Sequence, residues 1–354
     1  MTAQRSPENP IVTPAMVLPS RPDFEVLGVF NPAVARHDGQ VVLLLRVAEA
    51  PQKMSAGLAA APIFNSVTGR VEIKRWLVTP KGPDVSDPRL VVDNGRTWLT
   101  SMSHFRVARS TDGIHFEVEG LPAFSAGTIY ESFGVEDPRI TELDGTYWIT
   151  YTTVSHFGIG SGLASTTDFR KFERHGVIFP PPNRNVTIFP EKIDGRYAAL
   201  HRPMPEGLGQ HSIWTATSSD LKSWGNHRLV ATPRESGWDN TKVGGGAVPF
   251  RVHVGREDAW LAIYHGVTGN PPNYALGALL LDRHDPSRVK GRSREPILKA
   301  EAIYEREGFF GKVVFTCGAL VDGDQVRVYY GAADGVTAVA DLSLAEILSG
   351  LAEP

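Results

Sequence analysis

The sequence predicts an all-β chain folded as a β-propeller. A phrase that recurs along the chain points to this first. Gly134-Val135-Glu136-Asp137-Pro138-Arg139-Ile140 precedes the turn Asp144-Gly145 and an apolar run over 146–152. Weaker copies recur roughly every fifty to seventy residues, the strand–turn–strand period of a propeller blade. A second signal is a turn that repeats independently, around Asp112, Asp168 and Asp220, each followed by an aromatic residue: Phe116, Phe172 and Trp224. The 35 glycines and 26 prolines fall at turns, as a chain of many short strands requires.

Taken in order, the leading strands begin at Phe30-Asn31-Pro32-Ala33, Asp87-Pro88-Arg89-Leu90, Glu136-Asp137-Pro138-Arg139, Phe189-Pro190-Glu191, Val248-Pro249-Phe250 and Gly318-Ala319-Leu320. Most are followed by Asp-Gly or Asn-Gly and a second apolar run, the signature of a tight hairpin. Six leading strands fit six blades, or five blades and one peripheral strand. The Asp of each repeated turn reads as a carboxylate that accepts from nearby backbone N–H groups. Residues 334–342 alternate small apolar side chains and read as the strand that closes the ring. Leu344, Ile347 and Leu348 recur at helical spacing behind Ser343, which predicts one helix, over 343–351.

Blades cannot bury their faces alone, so the repeat predicts one catalytic domain over 1–354, with residues 1–20 as an N-terminal extension. A hydrophobic content of 42% and a charged content of 21% suit a globular protein. The net charge of −3, without a basic stripe, argues against nucleic acid as a partner. No apolar run approaches the length of a membrane span. Cys317 is the single cysteine, so an intrachain disulfide and a cysteine metal site are excluded. No His/Asp cluster has metal-ligand spacing, so no metal is expected. Residues 1–14 are polar and lack a signal-like apolar core, which predicts a cytoplasmic location. Assembly into a homo-oligomer is compatible with the sequence.

Carboxylates at the entrance of a leading strand are the best candidates for chemistry. Asp137 stands before Pro138, which predicts an extended backbone that fixes the side chain. Two readings stay open for it: a catalytic acid, or a buried structural aspartate paired with Arg139. Asp87 repeats the phrase with poorer flanks, and a substrate contact and a structural copy are both compatible with it. Arg46, Arg184, Arg202, Lys242 and His265 lie at or near strand ends in different repeats. Converging on one mouth, such cations suit a dianion, since guanidinium groups bind phosphate oxygens in a fork. Gly244-Gly245-Gly246 lacks the Lys-Ser/Thr ending of a phosphate loop and reads instead as close backbone approach near the axis.

These phrases together resemble glycoside hydrolase family 130, the β-mannoside phosphorylases and β-mannosidases. Nearly the whole chain takes part, from Phe30-Asn31-Pro32-Ala33 and Leu45-Arg46, through 134–140 and 183–193, to Tyr329-Tyr330-Gly331-Ala332-Ala333-Asp334. The resemblance implies a five-bladed propeller with an axial active site and an inverting reaction. It implies Asp137 as general acid, passing its proton through a sugar hydroxyl. Phosphate binding falls to Arg184, Arg202 and His265, and the sugar grip to Asn31, Arg46 and Asp334; from the residues themselves, Asp87 and Lys242 add substrate contacts. The expected substrates are a small oligosaccharide and inorganic phosphate as co-substrate, without any cofactor; the product is α-mannose 1-phosphate.

Two features depart from the family's pattern. Arg184-Asn185 stands where the motif usually carries Lys-Asp, and the segment 86–116, with Ser103-His104-Phe105-Arg106, does not match. An inverting β-mannosidase acting on β-1,2-linked mannosides is the alternative, with Glu131 or Glu136 as base. A propeller that binds glycan without catalysis is a further one. A propeller glycosidase of another family, with an aspartate base on the first blade, ranks lower, because Asn31 stands there and cannot accept a proton.

Overall fold

The computed structural model describes residues 3–52 and 57–353; Met1 and Thr2 of the predicted extension, and Pro354, lie outside them. The repeats become sheets in chain order. The first holds Phe24–His37, Gln40–Pro51, Met102–Ser110 and Glu117–Val118. The second holds Val135–Leu143, Thr146–Ser155, Gly158–Thr166 and Glu173–Phe179, and the third holds Asn183–Ile188, Tyr197–Pro203, Ile213–Ser218 and Gly225–Ala231. A later sheet joins Val314–Asp322, Gln325–Ala332 and Val336–Ser343 to the N-terminal strand Gln4–Arg5.

Between these lies a sheet of seven strands, so the arrangement is a β-propeller with four regular four-stranded blades. Its innermost edge is broken: Lys242–Gly245 and Phe250–Val254 both pair with Glu257–Thr268. Asn273–Asp282 follows, and its outer edge is shared by Val289–Ser293 and Leu298–Lys299, with Leu351–Ala352 beyond. The triple glycine ends the first innermost piece, where little side chain exists to hold a continuous strand. The 87–90 repeat does not lead a blade. It belongs to an insertion between the second and third strands of the first sheet. This insertion carries two hairpins, Leu58–Asn65 with Arg70–Leu77 and Leu90–Asp93 with Arg96–Leu99.

Turn chemistry follows the residues. Asp38-Gly39, Asn94-Gly95, Asp144-Gly145 and Asp194-Gly195 have positive φ at both positions, the type I′ pattern that matches strand twist. Asp112, Asp168 and Asp220 each use Oδ1 to accept from two backbone N–H groups, at 2.7–2.9 Å, and each also bonds a Ser or Thr hydroxyl two residues earlier. The predicted structural role of these aspartates is what the geometry shows.

Alternating apolar residues pack between successive sheets around the ring. Leu44, Phe105 and Ile149 join the first sheet to the second, and Leu163, Ile188 and Ala216 join the second to the third. Leu200, Trp260 and Leu279 continue the series, followed by Leu261, Val314 and Val328. Leu43, Leu45 and Tyr329 return it to the first sheet. Burying each such side chain stabilises the fold by about 1.5–3 kcal/mol. The N-terminal extension closes the ring: Arg5 is paired with buried Glu305 at 2.7 Å, and Tyr330 donates to the same carboxylate. The C-terminal helix runs Leu344–Ser349, with the Ser343 hydroxyl accepting from Glu346 N as its cap. A second short helix, Ile303–Arg306, was not expected; four residues carry too little periodicity to announce it. Among the described residues, no helix is long and apolar enough to cross a membrane.

Candidate active site

Four innermost strands break register at equivalent points: Phe30/Ala33, Glu136/Arg139, Arg184/Thr187 and Thr316/Gly318. Such bulges re-aim side chains. In three of them a polar residue sits in left-handed backbone, Asn31 at φ 49°, Asp137 at φ 50° and Asn185 at φ 58°. Asn and Asp tolerate this region better than other non-glycine residues. The extended backbone expected at Asp137 is therefore corrected. The bulge outweighs the bias that Pro138 imposes, and it swings the carboxylate toward the axis.

There the cavity, of about 440 Å³, is lined by Asn31, Arg46, Asp137, Arg184, Arg202, Lys242, His265 and Asp334. All eight were named from the sequence. Asp87 does not line it. Its carboxylate instead holds Arg89, with Nη2–Oδ2 at 2.7 Å, and it is Arg89 that faces the cavity.

Asp137 is buried. Its Oδ1 accepts from Asn31 Nδ2 at 2.9 Å and from Arg46 Nη1 at 2.8 Å. Burial opposes its ionisation, yet Arg46, Arg139, the Asn31 amide and Arg184 together hold the carboxyl below its ordinary range. Arg139 does not pair with that carboxylate directly. It donates to the backbone oxygens of Asp137, Gly245 and Gly246, tying the second sheet to the triple glycine. Arg46 also reaches Glu136 Oε1 at 2.8 Å and Ser103 Oγ at 3.1 Å, and lies over the Phe30 ring. Asp334 is pushed up to about 6, chiefly by burial, with Asp137 and Glu136 adding to the rise against Arg46.

On the other side, Arg202 Nη1 donates to His265 Nε2 at 3.0 Å. Burial, with Arg202 and Lys242 nearby, holds His265 far below its ordinary value, so it is a neutral ring that accepts. Gly244 makes room for this pair, since a Cβ there would strike the His265 ring and Arg202 Nη1. Burial, then Arg202 and Arg184, push Lys242 down to about 8. Its Nζ sits 4.8 Å from the Tyr274 ring centroid, and Tyr274 stacks on His265. Arg184 lies 3.4 Å from Glu136. Among the described residues, the Nε atoms of Arg184 and Arg202 are buried without hydrogen-bond partners, a costly state.

Sequence reasoning missed several lining residues: Asn185, Arg89, Leu99, Ser101, Tyr274, Phe309 and Phe310. Asn185 had a usable signal, because it occupies the bulge position of Asn31 and Asp137. Glu136 lines the cavity and bridges Arg46 and Arg184. Glu131, the other base considered for hydrolysis, does not line it. Buried Glu131 accepts from Tyr151 and from Gly127 N, both at 2.7 Å.

A family model described as β-1,4-mannooligosaccharide phosphorylase matches residues 88–353. The chain belongs to glycoside hydrolase family 130. A β-1,2-mannobiose phosphorylase from Listeria innocua is 42% identical over 99% of both chains. A 1,2-β-oligomannan phosphorylase from Thermoanaerobacter is 40% identical over 70% of this chain and 80% of its own. The solved complex of the Listeria innocua enzyme with β-1,2-mannobiose superposes with a TM-score of 0.93, again covering 99% of each chain. A glycoside hydrolase of the family that targets β-1,2 mannosidic linkages in Candida mannan shares the fold at a TM-score of 0.72 and 22% identity.

Proposed function

We propose that this member of family 130 is an inverting phosphorylase that splits β-1,2-mannobiose with inorganic phosphate to α-mannose 1-phosphate and mannose. The observation that carries the reading is that one cavity gathers a carboxylate group and a cationic group. Carboxylates Asp137 and Asp334 lie with Asn31 and Arg46, while Arg184, Arg202, Lys242 and neutral His265 gather with unpartnered guanidinium nitrogens. Inversion needs an acid beside the leaving oxygen and a nucleophile on the far face. Phosphate is already anionic near neutral pH, so it needs positioning rather than a general base.

In this reading Asn31, Arg46 and Asp334 hold the sugar whose anomeric carbon reacts. A phosphate oxygen held by Arg184, Arg202 and His265 attacks that carbon. The bond to the leaving oxygen breaks, and Asp137 supplies the proton through a sugar hydroxyl. A dianion at Arg184 offsets one of the charges that keep Asp137 ionised, so phosphate binding favours the protonated acid. Glu136, the carboxylate a hydrolase could use, is engaged by Arg46 and Arg184, which disfavours hydrolysis.

We also take the seven-stranded sheet as the fifth blade of one catalytic domain, with the broken inner edge as its distortion. The compartment we propose is the cytoplasm, which suits a single buried cysteine. No cofactor enters the scheme. The test is incubation of the protein with β-1,2-mannobiose, with and without phosphate. Phosphate-dependent mannose 1-phosphate is expected. Two free mannoses per disaccharide, at the same rate without phosphate, overturn the reading.

A further inference from the structure

Arg184 and Arg202 stand directly opposite each other on the first two strands of the third sheet, an antiparallel pair. Like charges so placed destabilise a sheet. Arg202 carries the mark of this, being pushed down to about 10, first by burial and then by Arg184. The backbone ladder is thin at the same point. On one side the strands bulge between Arg184 and Thr187. On the other, Pro203 stands opposite Asn183 and has no N–H to donate. The next backbone bond there runs from Met204 N to Pro182 O, at 3.1 Å.

The other face of these two strands carries Asn183 and His201, the residues that precede the two arginines. Side chains alternate along a strand, and these two are diagonal neighbours across the pair. Both are buried, and neither lines the cavity. Asn183 Nδ2 donates to His201 Nδ1 at 3.0 Å. Burial, with His227 second, pushes His201 down to about 3, so the ring is neutral. With Nδ1 accepting, its one proton lies on Nε2, which donates to His227 Nδ1 at 3.1 Å. The ring also stacks on Phe179, with centroids 4.6 Å apart. His201 is thus held from three other strands: Asn183–Ile188, Gly225–Ala231 and, in the second sheet, Glu173–Phe179.

We propose that Asn183 and His201 are positioning residues for phosphate, their buried bond holding the two strands in the register that sets Arg184 beside Arg202. The inference rests on the proposed function. Each residue acts through the arginine that follows it in the chain. Without the bond, the strands relieve the repulsion by splaying where the ladder is thin, and the two guanidinium groups part. An anion then meets one cation at a time. The proposed sugar grip lies on other sheets, with Asn31 and Arg46 in the first and Asp334 after Gln325–Ala332, so the loss falls on phosphate.

The experiment measures kcat, the KM for phosphate and the KM for β-1,2-mannobiose in the wild type, Asn183→Leu, His201→Gln and His201→Asn. Leucine fills the space of Asn183 without its bonds. Glutamine reaches the Nε2 position and loses the acceptor at Nδ1, whereas asparagine restores an acceptor there. The KM for phosphate should rise about tenfold in Asn183→Leu and in His201→Gln, the scale of one displaced charge-assisted hydrogen bond. The kcat at saturating phosphate and the KM for the disaccharide should change little, and His201→Asn should bring the phosphate KM back toward the wild type. A merely structural role lowers the folded fraction, and so kcat, without moving either KM. That outcome, in a wild type that depends on phosphate, overturns the positioning role alone. Should Asn183→Leu fail to fold, the two His201 variants decide, and equal phosphate KM values in them overturn it. A wild type that releases mannose at the same rate without phosphate overturns the proposed function and the positioning role with it.

Discussion

Arg46, on the second strand of the first sheet, and Asp137, on the innermost strand of the second, stand 91 residues apart and meet at 2.8 Å between Nη1 and Oδ1. Neither side chain is held by its own strand alone. Arg46 needs Glu136 and Ser103 to aim it, and Asp137 needs the bulge that Pro138 follows. The pair exists because the first and second sheets pack side by side.

Asp137→Asn keeps the size of the side chain and removes the transferable proton. Turnover should fall about 10²–10⁴-fold, the range for losing a general acid. Phosphate binding, read by calorimetry, should survive, since Arg184 and Arg202 stay in place. A variant with near-wild-type turnover excludes Asp137 as the acid.

Gly244→Ala places a methyl group against the His265 ring and Arg202 Nη1. Both groups line the cavity where we propose phosphate binds, and neither can retreat freely in a buried site. The KM for phosphate should rise at least about tenfold, matching the loss of one charge-assisted hydrogen bond. An unchanged phosphate KM removes the Arg202–His265 pair from the anion site.

Asp334 gives a pH signature with a definite sign. Its folded value is pushed up to about 6, while the unfolded chain releases the same proton near pH 4. Between those values the folded protein binds more protons, so this group's contribution to stability falls as pH rises. Asp334→Asn lacks the effect. In phosphate-free buffer its Tm should gain on the wild type from pH 4 to pH 6 and then keep a constant offset. A Tm difference that is flat across the window contradicts the raised value.

Much of the site could be read from the residues, for a physical reason. The Asp-Gly turns are local devices whose backbone demands are written in short phrases, whereas the phrases of Asn31 and Asp137 mark the residues but not their left-handed backbone. The aspartates at 112, 168 and 220 are of the same kind as those turns, and their partners lie within three residues. Arg89, Tyr274 and Phe310 could not be read this way. They reach the cavity from an insertion, the start of the strand Asn273–Asp282 and a loop, and only closure of the ring brings these together. Asp87 shows the limit most plainly: it copies the Asp137 phrase, yet it sits in the insertion and faces Arg89 instead of the axis. The seven-stranded sheet escaped notice because Gly244-Gly245-Gly246 signalled close approach without signalling that the strand breaks there. That break is useful. It frees the Gly245 and Gly246 carbonyls to accept from Arg139, which is in turn among the charges that lower Asp137.

Lys242 provides the last test. Its value is pushed down to about 8, first by burial and then by Arg202 and Arg184. Near neutral pH it carries its charge and, in the proposed function, adds to the attraction for phosphate. Above pH 8 it loses the proton, and one cation disappears from the anion side while Arg184 and Arg202 stay charged. The KM for phosphate should therefore rise between about pH 8 and pH 9, with kcat less affected, since the lost contact serves binding. Lys242→Arg keeps its charge across this range. In that variant the rise should vanish, even if the longer side chain weakens binding at every pH. Persistence of the same alkaline limb in Lys242→Arg assigns the titration to another group and takes Lys242 out of the phosphate site.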